Sequence, residues 1–184
     1  GLRREAAVIL GGDAEMEFTY RFASDAERTW MAERASEISE IVDFRSMVTT
    51  DTAEPERALV QVKAVDGAYP LYGRVTLEGG GALGDALAEK DGLPGLVAQG
   101  VLLDRLGVRP GDVLRLGAQR FRVADRLAVE PDGASAGFGL GPRVILRRDA
   151  LAPSGLLSEG SIFNSAYRLR LPPGADLPAL RAEA

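Results

Sequence analysis

One serine of the chain lies in a pattern typical of a hydrolase nucleophile. Gly133 to Gly137 read Gly-Ala-Ser-Ala-Gly, which fits the G-x-S-x-G pattern that presents a serine hydroxyl between a strand and a helix. Such a serine needs a base to accept its proton, and the sequence contains no histidine. The residues around Ser135 also lack the pattern of a preceding strand and a following helix. We therefore predict a loop of small residues and no catalytic residue here.

A second glycine pattern could bind a phosphate. Gly137 to Gly141 read Gly-Phe-Gly-Leu-Gly, but Pro142 to Val144 then favour a strand, so no helix N-terminus would face an anion. The chain also lacks the Gly-Lys-Ser/Thr sequence of a nucleotide-binding P-loop. We predict that it binds no nucleotide and needs no cofactor.

Three carboxylates, Asp13, Glu15 and Glu17, share one face of a predicted strand and could contact a cation. Calcium sites normally bring more oxygen ligands together on a curved loop. Cysteine and histidine are absent from the sequence, which removes the usual transition-metal ligands. We predict a solvated acidic face and no metal site.

Basic side chains could gather on a later part of the chain and contact lipid headgroups. The residues concerned are Arg120, Arg122, Arg126, Arg143, Arg147 and Arg148. Their alternation with apolar residues and the nearby Asp125 favour a solvent-facing hairpin instead. The formal net charge of −5 gives no indication of nucleic-acid binding.

Two tyrosines flank a proline directly after a predicted strand. The segment contains Asp66, Tyr69, Pro70 and Tyr72. Proline stiffens the turn, and tyrosine gives a large contact area at a low entropic cost. We predict these four residues as a candidate partner contact. The alternative is that both rings fill a gap between strands.

The composition is that of a globular domain. The 184 residues are 46% hydrophobic and 27% charged, which is typical of a chain that buries a core. The longest apolar run, Ala6 to Leu10, is far shorter than a membrane helix, and we expect no signal peptide. The first residue is not methionine and the last residues, Leu177 to Ala184, favour a helix, so we expect a domain of a larger protein.

Hydrophobic periodicity predicts the elements that position these residues. Asp13 to Phe22 alternates and should place Met16, Tyr20 and Phe22 on its buried face. Ser24 and Glu27 form a capping box, which starts a helix that runs to about Ala35. Further strands are predicted around Ile38 to Val48 and at Ala58–Asp66, Tyr72–Leu77, Val113–Leu116, Phe121–Val129, Arg143–Leu146 and Phe163–Leu171, with helices at Leu83–Glu89, Val101–Leu106 and Asp149–Leu157.

Two segments carry a resemblance to a known family. Residues 59 to 73 read LVQVKAVDGAYPLYG, and residues 100 to 117 read GVLLDRLGVRPGDVLRLG. Together they resemble the extracytoplasmic domain of MacB/FtsX-type ABC transporter permeases, most closely the YbbP-like branch. The resemblance implies an α+β fold, a MacB-like periplasmic core domain, in which a mixed α/β lobe (residues 1–78 and 143–184) carries an inserted β-rich lobe (residues 79–142).

The resemblance also implies a function without catalysis. The domain would lie outside the plasma (inner) membrane and couple ATP hydrolysis by a cytoplasmic ATPase to export or extraction of a lipid, lipoprotein or similar cargo. The ATPase would act through membrane helices that lie outside this chain. The domain itself would contact a periplasmic partner protein or lipid-like cargo. Whether the full transporter contains a dimer of this domain stays open.

Two other classes of protein remain as alternatives. A carbohydrate- or peptide-binding β module could use the turn Pro110 to Asp112 and the hairpin that follows it. A glycosidase could use paired carboxylates without histidine. Ligand binding by the isolated chain would favour the first class, and turnover lost on a single carboxylate change would favour the second.

Overall fold

A computed structural model describes residues 6–10, 13–131, 141–156 and 162–172. Its strands are β1 (Ala6–Leu10), β2 (Asp13–Thr19), β3 (Glu37–Thr50), β4 (Arg57–Val65), β5 (Thr76–Leu77), β6 (Gly95–Gln99), β7 (Val113–Leu116), β8 (Gln119–Val129), β9 (Arg143–Arg147) and β10 (Asn164–Arg170). The helices are α1 (Asp25–Arg34), α2 (Leu83–Leu87), α3 (Gly100–Leu106) and a 3-10 helix, Arg148–Ser154. The predicted α+β class is confirmed.

Six of the strands close into a barrel. Each strand pairs with the next in the order β3, β4, β9, β6, β8 and β7, and β7 returns to pair with β3. The β4–β9 and β6–β8 pairs are parallel, and the other pairs are antiparallel. Closure leaves no free edge within this ring of strands.

The barrel interior is filled by apolar side chains that recur at every second residue of a strand. Their side chains are fully buried and include Val60, Val62, Leu96, Leu114, Phe121, Val123, Val144 and Leu146. Helix α3 adds Leu102 and Leu103 to the same cluster. The helix ends at Gly107, which adopts φ 67° as a left-handed cap. The interior is therefore a packed apolar core.

Strand β3 extends beyond the barrel and carries a second, open part of the sheet. Its first half pairs with β10, β10 pairs with β2, and β2 pairs with β1. Helix α1 covers this part of the sheet through Met31, which packs with Phe18 and Tyr167. Trp30 is partly buried and packs at the margin of this cluster.

The start of α1 has the predicted capping box. Ser24 Oγ accepts a hydrogen bond from the Glu27 amide at 3.2 Å, and Glu27 Oε1 accepts one from the Ser24 amide at 2.7 Å. Arg21 also donates to both oxygens of the buried Glu27 carboxylate, at 2.7 and 3.1 Å. The hydrogen bond from Arg21 lowers the pKa of Glu27 to about 2.

A third layer covers the outer face of the barrel. The segment after β4, including Tyr69 and α2, packs on Val65, Val97 and Ile145. Strand β4 is consequently buried on both faces from Val60 to Val65. Even the side chain of Lys63 is only 2% exposed.

Several predicted elements differ from the structure. Tyr20, expected on the buried face, lies after β2 at φ 62° with 62% of its surface exposed. The predicted strand Tyr72 to Leu77 is shorter in the structure and consists of β5 alone. Tyr72 and Gly73 form bends, and Arg74 and Val75 lie in no strand. The sequence analysis did not predict strand β6. Its apolar run, Leu96 to Ala98, is too short for hydrophobic periodicity to distinguish a strand from a helix.

The strands of the two predicted lobes belong to one continuous sheet. The lobes, residues 1–78 with 143–184 and residues 79–142, therefore stay a prediction. The predicted terminal helix at residues 177–184 and the serine pattern at residues 133–137 lie outside the described residues.

Candidate functional site

Asp66 connects the segment that contains Tyr69, Pro70 and Tyr72, named the tyrosine turn, to strand β3 through hydrogen bonds. Its Oδ2 accepts a hydrogen bond from the Glu40 amide at 2.6 Å, and its Oδ1 accepts from Ser39 Oγ and from the Ala68 amide, each at 3.1 Å. The three donors belong to the fold and engage both carboxylate oxygens of Asp66. Asp66 was predicted as one of four partner-contact residues. Its hydrogen bonds position the other three, Tyr69, Pro70 and Tyr72, relative to the sheet.

Tyr69 points inward from the turn. Its ring packs half-buried against the outer face of the barrel. Its hydroxyl accepts a hydrogen bond from Lys63 Nζ at 3.3 Å, and the ammonium lies 5.2 Å from the ring centroid. The peptide bond that joins Tyr69 to Pro70 is cis. These contacts pack the Tyr69 ring within the fold.

A buried charge network lies beneath Tyr69. Glu130 Oε2 lies 2.8 Å from Lys63 Nζ, and Glu130 Oε1 lies 3.1 Å from Arg143 Nε. Arg143 also reaches Asp43, with 3.1 Å between Nη1 and Oδ1. The side chains of Lys63, Glu130 and Arg143 are 2%, 6% and 5% exposed. The network joins β3, β4, β9 and the end of β8 at one place.

Sequence reasoning missed this network as a unit. Lys63 and Lys90 are the two lysines of the chain, and Lys63 sits within the apolar run of β4. A lysine in such a strand needs a buried acid as a partner. The sequence could therefore have raised the question, but nothing in it identifies Glu130, 67 residues away, as that acid.

Tyr72 points outward. It is 42% exposed, and the Arg170 guanidinium lies 4.8 Å from its ring centroid. Arg170 Nη2 also donates to the Leu71 carbonyl at 2.6 Å, and its Nε lies 3.4 Å from Glu37 Oε1. Arg170 on β10 thus holds the turn and braces the exposed ring. Tyr72 retains surface for a partner, whereas Tyr69 has little.

A cavity of about 160 Å³ lies between the turn and the sheet. Gly73 borders it with φ 73°, and a side chain at that position would meet Pro131. The residues around the cavity are Ser39, Ile41, Tyr69, Pro70, Leu71, Tyr72, Gly73, Pro131 and Arg168. The structure thus gathers three of the four predicted contact residues, Tyr69, Pro70 and Tyr72, around one hollow.

One residue of the predicted acidic face, Glu15, forms an ion pair within the sheet. Glu15 Oε2 lies 3.3 Å from Arg168 Nη2 on the neighbouring strand β10. Among the described residues, no three or more acidic, histidine or cysteine side chains come together as metal ligands. The local contact is that of a cross-strand ion pair on a sheet surface.

The arginines considered as a basic patch have separate roles. Arg120 pairs with Asp51 at 2.7 Å, Arg126 pairs with Asp104 at 3.0 Å, and Arg148 pairs with Glu40 at 2.8 Å. The contact with Arg126 lowers the pKa of Asp104, and the same contact raises the pKa of Arg126. Arg143, expected on a solvent-facing strand, is buried. That part of the expectation is wrong, because Glu130 and Asp43 compensate its charge inside the fold.

The turn offered for a carbohydrate or peptide uses its amides within the fold. The Gly111 amide donates to the Val123 carbonyl at 2.8 Å, and the Arg109 amide donates to Asp112 Oδ2 at 2.9 Å. The turn therefore starts the β7–β8 hairpin and anchors it.

Comparison with known proteins gives one relative in sequence. The chain is 23% identical over 172 residues to an uncharacterized ABC transporter permease, YbbP of Escherichia coli K12. The match covers 91% of this chain and 20% of that permease, so the chain spans about a fifth of the length of its relative. No family model matches the sequence. Within the described residues, no helix combines the length and apolarity needed to cross a membrane.

Two solved structures share the fold. The periplasmic region of MacB from Actinobacillus actinomycetemcomitans aligns with a TM-score of 0.57 and 7% identity, over 94% of this chain and 80% of that one. The extracellular domain of the noncanonic ABC-type transporter YknZ from Gram-positive bacteria aligns with a TM-score of 0.53 and 13% identity, over 89% of this chain and 78% of that one. The predicted resemblance is thus confirmed: the chain is similar in sequence to an ABC transporter permease and has the fold of the extracytoplasmic domains of MacB and YknZ.

Proposed function

We propose that the chain is a non-catalytic extracytoplasmic domain of an ABC transporter permease in the plasma membrane. It couples ATP hydrolysis by a cytoplasmic ATPase to export or extraction of a lipid, lipoprotein or similar cargo. The observation that carries this proposal is the fold shared with the MacB periplasmic region over 94% of the chain. The sequence similarity to a permease supports it independently.

The architecture suits transmission of a movement. Strand β10 lies between β2 and β3, and β3 continues into the closed barrel. A displacement applied to β2 and β10 therefore reaches the barrel through continuous backbone hydrogen bonds. The filled interior resists compression, since closely packed side chains leave little free volume.

The surface proposed to contact a periplasmic partner or cargo is the tyrosine turn. Tyr72 supplies exposed aromatic area, and Arg170 and Asp66 hold the turn in place. Tyr69 and Pro70 shape the hollow beside Tyr72. The tyrosine turn thus presents a fixed surface, which reduces the entropy lost on binding.

The test uses the full permease with its ATPase in proteoliposomes that contain a fluorescent phospholipid. We expect Tyr72→Ala to reduce extraction of the lipid several-fold while ATP hydrolysis continues, because the nucleotide site belongs to another subunit. The matched control is Tyr20→Ala, which removes an exposed tyrosine at the end of β2 remote from the tyrosine turn. Normal extraction by Tyr72→Ala would contradict the proposed contact, and no extraction by the unmodified transporter would contradict a lipid cargo.

A further inference from the structure

Two consecutive residues that follow β8 connect to the tyrosine turn at two points. Glu130 Oε2 lies 2.8 Å from Lys63 Nζ, and Lys63 in turn donates to the Tyr69 hydroxyl at 3.3 Å. Pro131 lies directly against Gly73, the residue after Tyr72. The end of β8 therefore contacts one side of the turn through Lys63 and the other side directly.

The contact between Gly73 and Pro131 leaves no space for a side chain. A Cβ atom added at Gly73 would come within 2.6 Å of the Pro131 Cβ atom. Gly73 also adopts φ 73°, a conformation that residues with a side chain rarely adopt. Since Tyr72 is the neighbour of Gly73 and is 42% exposed, this close contact lies one residue away from the exposed ring.

The buried charges at the first point give direction more than stability. The side chains of Lys63, Glu130 and Arg143 are 2%, 6% and 5% exposed, so all three have lost their hydration. Apolar side chains of similar volume often stabilise a fold equally well or better than such a network. Hydrogen bonds between charged groups, however, require a defined distance and orientation. Each oxygen of Glu130 contacts a different cation, and this fixes the ammonium that reaches Tyr69.

Strand β8 links this end of the chain segment to the rest of the barrel. It pairs with β5, β6 and β7. Arg126 on β8 also pairs with Asp104 of α3 at 3.0 Å. A displacement of these elements is therefore carried along β8 to Glu130 and Pro131. The start of the turn is held separately, by the hydrogen bonds of Asp66 to β3.

We propose that Glu130 and Pro131 are positioning residues, which set the orientation of the exposed Tyr72 ring relative to the barrel. The buried charges serve the position of the turn and contribute little to the stability of the domain. A movement of β8 changes the presentation of Tyr72, so the contact surface is regulated through the barrel. The proposal rests on the proposed function, because it names what controls the surface that contacts the partner or cargo.

The test separates position from stability in the 184-residue chain. Glu130→Ala removes one partner of a buried network and should lower the melting temperature. The double variant Lys63→Met with Glu130→Gln replaces the ion pair by neutral side chains of similar size, and Arg143 keeps Asp43 as its acid. We expect the double variant to recover most of the lost melting temperature, because no buried charge is left uncompensated.

Backbone order parameters from nitrogen-15 relaxation report how firmly the turn is held. The Tyr72 and Gly73 amides should have values near about 0.85 in the wild type and fall toward about 0.6 in the double variant. Pro131→Gly, which removes the ring against Gly73, should have the same effect. The Ala68 amide, which donates to Asp66, should stay rigid in every variant. Arg120→Gln, at a surface ion pair on β8, is the control and should change none of these values.

Lipid extraction by the full permease tests the consequence of this positioning. The double variant should reduce extraction several-fold, and adding Tyr72→Ala to it should reduce extraction no further, because both changes act through the same ring. A variant that merely lost folded protein would reduce extraction in either background.

Three outcomes would overturn the proposal. They are a rigid Tyr72 and Gly73 in both the double variant and Pro131→Gly, a double variant that melts as early as Glu130→Ala or does not fold, and fully additive losses of extraction. If the order parameters and melting temperatures change as expected but Tyr72→Ala extracts lipid normally, the positioning stands and the proposed transport role of the turn fails.

Discussion

Lys63 and Glu130 form a buried ion pair, with 2.8 Å between the ammonium nitrogen and a carboxylate oxygen. The two residues are 67 positions apart, and the pair joins the centre of β4 to the end of β8. The same lysine donates to the hydroxyl of Tyr69. The position of the candidate contact turn therefore depends on charges inside the fold.

Removing Glu130 should destabilise the domain more than removing Lys63. Glu130→Ala removes the acid that two buried cations, Lys63 and Arg143, share, whereas Lys63→Met removes one cation and leaves Glu130 paired with Arg143. We expect Glu130→Ala to lower the free energy of unfolding by about 3–5 kcal/mol. Urea unfolding followed by the fluorescence of Trp30 measures both variants.

The control for this prediction is an ion pair at the surface. Arg120 pairs with Asp51 and is 48% exposed, so Arg120→Gln should change the free energy of unfolding by less than about 1 kcal/mol. Equal losses for Glu130→Ala and Arg120→Gln would show that burial of the network has no energetic consequence.

Glu27 should make the stability depend on acidity. Its pKa falls from 4.5 in the unfolded chain to about 2 in the folded one, chiefly through Arg21. A lowered pKa stabilises the fold above the unfolded value, and this contribution disappears as the pH falls from about 4.5 to about 2. Because Arg21 is 37% exposed, we expect a contribution of only about 1–2 kcal/mol.

The measurement compares wild type with Glu27→Gln in urea at a series of pH values. The difference in unfolding free energy should be constant near neutral pH and shrink toward pH 2, the pKa of the folded state. Ser24→Ala removes the other half of the capping box and should cost about 1 kcal/mol, with a weaker pH dependence, because the Ser24 side chain lowers the pKa of Glu27 less than Arg21 does. A difference that stays constant down to pH 2 would contradict the effect of Arg21.

Tyr167 should ionise late and support stability at alkaline pH. Its hydroxyl accepts from the Ala23 amide and from Arg28, each at 3.1 Å, and burial together with Glu40 raises its pKa to about 12. A raised pKa means that the stabilising contribution is complete below the unfolded value of 10 and is lost between pH 10 and about 12.

Ultraviolet absorbance of tyrosinate tests this prediction. Tyr167→Phe should remove the last step of the alkaline titration and cost about 1–3 kcal/mol at neutral pH, because the Ala23 amide loses its acceptor. Tyr72→Phe, at an exposed ring, should leave that last step in place. If Tyr72→Phe removed the late step instead, that step would belong to Tyr72, and the prediction for Tyr167 would be wrong.

The purified chain should show no esterase activity. Ser135 lies in a serine-nucleophile pattern, but the chain has no histidine to act as its base. We expect hydrolysis of p-nitrophenyl acetate at the rate of the heat-denatured protein, and the same rate for Ser135→Ala. A folded Ser135→Ala variant that lost a measurable wild-type activity would contradict the non-catalytic role.

Local elements of the fold were predictable because their causes are local. The capping box of Ser24 and Glu27 depends on neighbouring residues, and it is present. The hairpin that follows the turn Pro110 to Asp112 was predicted for the same reason and is confirmed by the β7–β8 pairing. Strand β6 was not predictable by periodicity, since it is short and its burial comes from β8 and β9 on either side.

The family resemblance, the fold class that it implies and the turn at Tyr69 and Pro70 were predictable from the amino-acid sequence, because motifs extend over neighbouring residues. The folded chain was needed to show that the barrel closes through β3 and β7, that Glu130 is an acid for Lys63, and that Tyr69 points inward while Tyr72 points outward. These relationships join residues far apart in the chain. Their free energy comes from burial and charge compensation that exist only once the strands have paired.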